Sequence, residues 1–273
     1  MKPFIMFTKH LEGYDIPQII DALKRSGVEG ADLCVRPGYP VNPENAGAQL
    51  PAAAKRFADE GLSIPLVTSP GEFDDPGNPQ AQPLFEACGE AGVRFLKLGY
   101  WFVQNEDYWT TLDDCRRKIE GFAKLAEKTG VRALVHNHSG SSMGLNSSAV
   151  MRLVEGFDPK LVGVFGDVGH LTLVGEPYPM AFNIAEKYLA AVAFKDLVRQ
   201  RYQENGDIKW IPDVVPMGQG YSDFPLAVSL LKKMNFQGPI SFHSEYSRLP
   251  PESVIGQCRL DTRYIQSMVE GSL

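Results

Sequence analysis

Apolar and polar positions along the chain fall into a repeated unit. Four times a helix-period stretch stops at a glycine, an apolar residue follows, and a short β-prone run begins. The four junctions are Gly27-Val28 before residues 31–35, Gly61-Leu62 before 63–67, Gly92-Val93 before 95–98, and Gly130-Val131 before 133–135. Glycine just past a helix end takes the left-handed conformation that stops the helix. The runs that follow are apolar at successive positions, as in a strand covered on both faces of a parallel sheet. Asp15 with Pro17, Asn42 with Pro43, and Ser222-Asp223 each put a capping oxygen before a periodic segment and predict helix starts.

Further strands are predicted at 4–8, 161–168, 191–195 and 239–245, which makes eight. They recur about every 30 residues with one helix in each gap, the spacing of a βα unit. Eight such units predict an α/β fold, a (β/α)8 TIM barrel, as a single domain over residues 1–273. An open doubly wound sheet is the alternative. No Gly-rich phosphate fingerprint follows the first strand, which argues against that sheet and against a nucleotide cofactor. The gap from Ala191 to Pro239 is the longest. It holds residues 196–221, with Gln203-Glu204-Asn205-Gly206-Asp207 and Pro216-Met217-Gly218-Gln219-Gly220, and reads as a rim or lid segment on the C-terminal face.

Composition narrows the class. With 44% apolar and 22% charged residues in a chain of 273, disorder and a disulfide-stapled scaffold are excluded. The net charge of −6 counts against a nucleic-acid partner, which would need a basic face. Cys34, Cys88, Cys115 and Cys258 show no CxxC spacing and read as reduced thiols, so the expected location is cytoplasmic. The longest apolar run, from Tyr188 to Phe194, falls far short of the roughly 20 residues of a membrane span.

The candidate chemistry lies at strand ends. The chain has five histidines, and four of them follow or end predicted strands: His136 and His138, His170, and His243. Asp167 precedes His170 by three residues, and Glu245 follows His243 by two. Lys195-Asp196 closes the seventh strand, Lys97 lies near the end of the fourth, and Arg36 follows the second. In a barrel these ends converge on one mouth. Strand alternation puts His136 with His138, and His243 with Glu245, on common faces. Imidazole and carboxylate together suit a divalent transition metal such as zinc, manganese, iron or cobalt. Tyr100-Trp101-Phe102 offers an aromatic platform for a sugar face, and Arg36 an anchor for an anion or hydroxyl.

Gly166-Asp167-Val168-Gly169-His170, Phe194-Lys195-Asp196, Pro216-Met217-Gly218-Gln219-Gly220 and Ile240-Ser241-Phe242-His243-Ser244-Glu245 resemble, in order and spacing, the xylose-isomerase-like TIM-barrel superfamily, often labelled sugar phosphate isomerases/epimerases. Leu33-Cys34-Val35-Arg36-Pro37-Gly38 looks like a subgroup signature, and the resemblance spans nearly the whole chain. The family's metal ligands are a Glu after strand five, an Asp after six, a His on seven and a Glu on eight. The matching positions here hold His136, Asp167, Ala193 and His243, so only the aspartate is kept. The resemblance therefore implies a divalent metal on His136, Asp167 and His243, with His170, Glu245 or Lys195 moving a proton. Arg199 and His170 match positions that touch substrate oxygens in ketose epimerases. Arg36, Tyr100, Trp101 and His138 complete the expected substrate contacts. The implied activity is that of a sugar isomerase or epimerase, or a lyase or dehydratase, on a small sugar-like molecule. The alternative is a metal-free barrel that binds carbohydrate without turnover. An apurinic-site endonuclease, which shares the barrel and an Asp-x-x-His motif, fits poorly with five histidines and a negative charge. Homo-oligomerisation is left open.

Overall fold

The computed structural model describes residues 3–103, 107–246 and 248–271. Its strands are β1 (Phe4–Phe7), β2 (Gly30–Cys34), β3 (Ser63–Thr68), β4 (Phe95–Lys97), β5 (Arg132–His136), β6 (Val162–Asp167), β7 (Leu189–Phe194), β8 (Asp196–Glu204), β9 (Asp207–Val215) and β10 (Ile240–Phe242). The α-helices are α1 (Ile16–Ser26), α2 (Ala46–Asp59), α3 (Ala81–Glu90), α4 (Tyr108–Thr129), α5 (Ser147–Val154), α6 (Val168–Val174), α7 (Tyr178–Ala185), α8 (Phe224–Lys233) and α9 (Pro251–Glu270). Strands β1-β10-β7-β6-β5-β4-β3-β2 close into a parallel barrel, so the fold is an α/β TIM barrel.

The local signals act as expected. Gly27, Gly61, Gly92 and Gly130 all have positive φ. The Asp15 side chain accepts from the Gln18 amide in a capping box, and Asp223 caps α8 through the Leu226 amide. Asn42 does not cap α2. The helix begins after Asn45, whose side chain accepts from the Asn42 amide in the preceding turn.

Strand side chains divide by parity. Phe4, Met6, Leu33, Val67, Leu96, Val135, Val164 and Val192 point outward into the layer shared with the helices. Ile5, Leu66, Phe95, Leu134, Phe165 and Ala193 form the barrel interior. Two residues further along the same inward face come Thr68, Lys97, His136, Asp167 and Lys195, so the apolar plug is topped by a polar layer.

The segment expected as a rim loop is a β-hairpin. Strands β8 and β9 pair antiparallel from Asp196↔Val215 to Glu204↔Asp207. Asn205 and Gly206 turn it with φ of 52° and 89°, the backbone of a two-residue hairpin turn. The eighth barrel strand is shorter than predicted, and His243, Ser244 and Glu245 lie in the loop after β10. All four cysteines are buried and unpaired. Among the described residues no helix is long and apolar enough to cross a membrane.

Candidate active site

Asp167 is the centre of the polar layer. It ends β6, and its Oδ1 accepts the His170 amide at 3.0 Å, which caps α6. Its Oδ2 faces the barrel axis. Around it lie Lys195 Nζ at 3.2 Å, His136 Nε2 at 3.5 Å, His243 Nδ1 at 3.7 Å and His170 Nε2 at 3.8 Å. Asn137 fixes the strand end: its side-chain oxygen accepts the Asp167 amide and its amide donates to the Asp167 carbonyl.

Lys195 links this centre to Glu245. Its ammonium lies 3.2 Å from Glu245 Oε2 and 3.1 Å from His170 Nε2. Glu245 Oε1 is held by Lys9 at 2.7 Å. Lys195 passes over the Gly169 backbone to reach Asp167. A Cβ on Gly169 would stand 2.9 Å from the Lys195 carbonyl oxygen and 3.0 Å from its Cε, so the glycine between Asp167 and His170 is there for space.

Neighbouring Asp196 has a structural task. Its carboxylate accepts backbone N–H groups of Leu197, Gly218, Gly220 and Ser222 at 2.8–3.0 Å. That cradle ties the loop before α8 to the end of β7. Gly220 is needed there, because a Cβ would approach Asp196 Oδ1 to 2.2 Å.

Electrostatics follow from the packing. Burial pushes the His136, His138 and His170 imidazoles down, with Lys97 adding to the effect on His136 and Lys195 on the other two. They are neutral donors at pH 7. Burial would raise the carboxyls of Asp167 and Glu245. Lys195 outweighs it, helped by His170 at Asp167 and His243 at Glu245, and holds both well below the usual range. Burial would lower Lys195, but Asp167 and Glu245 raise it. Burial would also lower His243, yet hydrogen bonding to Asp32 and Glu245 raises it.

The residues proposed for a metal do not group as the sequence suggested. Among the described residues, one set of donor atoms lies close enough to share an ion: His136, Asp167 and His170, all within 4.8 Å of one another. His136 Nε2 and Asp167 Oδ2 are buried without a hydrogen-bond partner in good geometry. His243 is turned differently. Its Nε2 faces Asp32 Oδ2 at 3.4 Å, and Asp32 is fixed by Thr68 and Ser241 hydroxyls at 2.6 and 2.9 Å. Phe7 stacks on its ring at 4.4 Å between centroids.

These groups floor a cavity of about 260 Å³ lined by Phe7, Lys9, Arg36, Gly71, Lys97, Tyr100, His136, His138, His170, Lys195, His243 and Glu245. Tyr100 Oη bridges Lys97 Nζ and His136 Nδ1, each at 3.1 Å. Trp101 and Arg199, expected to touch substrate, lie outside the lining. Trp101 is buried and donates to the Asp74 carbonyl. Arg199 sits on β8 and donates to the Leu173 carbonyl. Asp32 and Lys9 were not anticipated, and Lys97 was noted without a role. Asp32 carried a usable signal: like Lys97, it is a charged residue within an otherwise apolar strand run.

Comparison with known proteins agrees with this architecture. The barrel superposes on the zinc-bound structure of the IolI protein with a TM-score of 0.77 at 17% identity, covering 97% of this chain and 98% of that one. It superposes on the 3-keto-D-glucoside 4-epimerase YcjR from E. coli with a TM-score of 0.72 at 14% identity, covering 98% and 100%. An inosose dehydratase of Lacticaseibacillus casei is 25% identical over 247 residues, 84% of this chain and 81% of the relative. The profile of the family described as xylose isomerase-like TIM barrel matches residues 13–259, and the chain belongs to that family.

Proposed function

We propose that this chain is a carbohydrate-active enzyme that removes a proton next to a carbonyl of a sugar or polyol derivative, in an isomerase, epimerase or dehydratase reaction. The observation that carries the proposal is the convergence of Asp167, Glu245, Lys195 and three neutral imidazoles on one strand-end cavity. The names of the similar proteins, a dehydratase and an epimerase, point the same way.

His136, Asp167 and His170 fit a divalent cation. Their donors are imidazole and carboxylate, and the spacings of 3.5 and 3.8 Å to Asp167 approach the edges of a coordination shell with bonds of about 2.0–2.2 Å. His136 Nε2, which has no hydrogen-bond partner in good geometry, and Asp167 Oδ2, which faces the Lys195 ammonium at 3.2 Å, are the atoms such an ion would engage. When bound, it would polarise the substrate carbonyl; manganese, zinc, cobalt and iron all suit this donor set. Glu245, ionised and facing the cavity, takes the proton. Because two ammonium groups keep its proton affinity low, it works on a C–H acidified by the adjacent carbonyl. Lys195 donates to the enediolate oxygen that develops. His243, held by Asp32, sets the Glu245 side chain. His138 and Tyr100 orient hydroxyls at the rim. The domain acts as one unit on a small-molecule substrate, in the cytoplasm.

One observation favours a second reading, a metal-free barrel. Lys195 Nζ already contacts Asp167 and His170, two of the three donors. Metal content of untagged protein, by plasma mass spectrometry before and after chelation, separates the two. Near one equivalent of ion, reduced by His136→Ala, supports the metal-assisted site. No ion after incubation with manganese, zinc or cobalt removes it. The proton-abstraction step is tested by C–H exchange of keto-sugars and keto-cyclitols in D2O, followed by NMR. Wild-type protein should catalyse exchange and Glu245→Gln should not. Absence of exchange across the panel would refute the enzymatic reading.

A further inference from the structure

The cavity holds four cationic side chains, and they are not partnered alike. Lys9 and Lys195 face carboxylates. Lys97 and Arg36 do not: among the described residues, neither has an ion pair. Lys97 is 1% exposed, and among the described residues its ammonium meets Tyr100 Oη at 3.1 Å and the faces of Tyr100 and Phe165. A lysine has three N–H donors, so two remain for a ligand. Arg36 uses Nε on the Ser69 carbonyl at 3.2 Å and lies over Phe7. Among the described residues its terminal nitrogens have no hydrogen-bond partner, and the side chain lines the cavity.

The two cations stand on segments tied together through Ser69. The Ser69 amide and hydroxyl both donate to the Lys97 carbonyl, at 3.2 and 2.7 Å, while the Ser69 carbonyl takes Arg36. Both line the wall that continues through Gly71. A buried cation without a counter-charge is costly, and the cost is relieved when an anion arrives. A guanidinium fork beside an ammonium matches a planar carboxylate. Lys195, Glu245 and His170, which line the same cavity, carry the chemistry.

We infer that Arg36 and Lys97 form an anion subsite, and that the substrate is an acidic sugar whose carboxylate docks there while its carbonyl end faces Asp167 and Lys195. The inference rests on the sugar-directed reading above and names its substrate class. A cavity of about 260 Å³ suits a single six-carbon acid. Phosphate shares the anionic chemistry, so both anions enter the test.

Binding of D-glucuronate, D-glucose and D-glucose 6-phosphate is measured by calorimetry, with and without added manganese. D-glucuronate should bind at least tenfold more tightly than D-glucose. Arg36→Gln and Lys97→Met should each remove that advantage while leaving the weak binding of D-glucose in place. Arg36 is partly exposed, so its variant reads the subsite even if Lys97→Met fails to fold. Equal affinity for D-glucose and D-glucuronate, or equal weakening of both by Arg36→Gln, overturns the subsite. Tighter binding of D-glucose 6-phosphate than of D-glucuronate overturns the carboxylate assignment. If neutral keto-sugars undergo C–H exchange while acids do not bind, the subsite fails and the proposed function stands. If no probe binds and no exchange occurs, both fail.

Discussion

Replacing Lys195 by methionine keeps an apolar stem and removes the ammonium that faces Asp167 and Glu245 at 3.2 Å each. The two carboxylates do not suffer alike. Glu245 keeps Lys9 at 2.7 Å. Asp167, fully buried, keeps among the described residues imidazoles and the His170 amide. Removing one member of a buried ion pair costs about 3–5 kcal/mol, and the retained Lys9 contact puts the loss near the lower end, about 3 kcal/mol. For a chain of this size that lowers Tm by roughly 6–12 °C. The pH dependence has a defined sign. Lys195 holds both carboxyls well below their unfolded values, so its contribution is present above the usual carboxylate range and is lost as pH falls through the folded values. In the variant Asp167 regains a proton more readily, and the deficit against wild type narrows in acid. Urea unfolding at pH 7 and at pH 4 measures both. A loss under about 1 kcal/mol at pH 7, or the same deficit at both pH values, would refute the assignment of Lys195 as the counter-charge of Asp167.

Gly169→Ala should act on the same contact from the backbone side. Its Cβ would crowd Lys195 to about 3 Å, and overpacking of this kind costs about 1–3 kcal/mol, read as a lower urea midpoint with loss of C–H exchange. Asp196→Ala should strand the backbone N–H groups of Leu197, Gly218, Gly220 and Ser222, with about 3 kcal/mol lost and proteolytic nicking between residues 216 and 222. Unchanged protease resistance would show that the cradle does not hold that loop. His136→Ala should abolish retention of a divalent ion, read by plasma mass spectrometry, and should also lower Tm, because the buried ring it removes packs on Phe165 and hydrogen-bonds Tyr100 Oη at 3.1 Å.

The barrel was legible because each βα unit writes its own punctuation. Gly27, Gly61, Gly92 and Gly130 stop helices locally, and no distant contact is needed to read them. The strand-end residues His136, His138, Asp167, His170, Lys195, His243 and Glu245 were legible for a related reason: topology alone brings strand ends to one mouth. Which atoms face which was not legible. His243 turns its Nε2 to Asp32, a partner more than two hundred positions away, and that choice depends on Thr68 and Ser241 fixing the carboxylate. Trp101 was expected on the cavity from its rim position and Arg199 from the family resemblance, but the carbonyls of Asp74 and Leu173 hold them elsewhere. The hairpin was missed although Asn205-Gly206 is a strong turn signal. Its strands are largely exposed, β8 is mostly polar, and the apolar Ile208, Trp210 and Ile211 of β9 face no core, so the buried apolar run that marked the barrel strands is missing.

The Asp32 clasp also sets an order of events during synthesis. Its carboxylate joins β2 to Ser241 on β10, with β1 lying between them at the point where the barrel closes. Until β10 emerges and docks, the sheet is open, with β1 and β7 as bare edges that invite pairing with other chains. His243 and Glu245 follow that same strand. A nascent chain therefore has neither a closed barrel nor a complete pocket, and assembly of the site coincides with removal of the last edge. Ribosome-stalled chains ending before residue 239 should aggregate, and extension through α9 should relieve it in a single step.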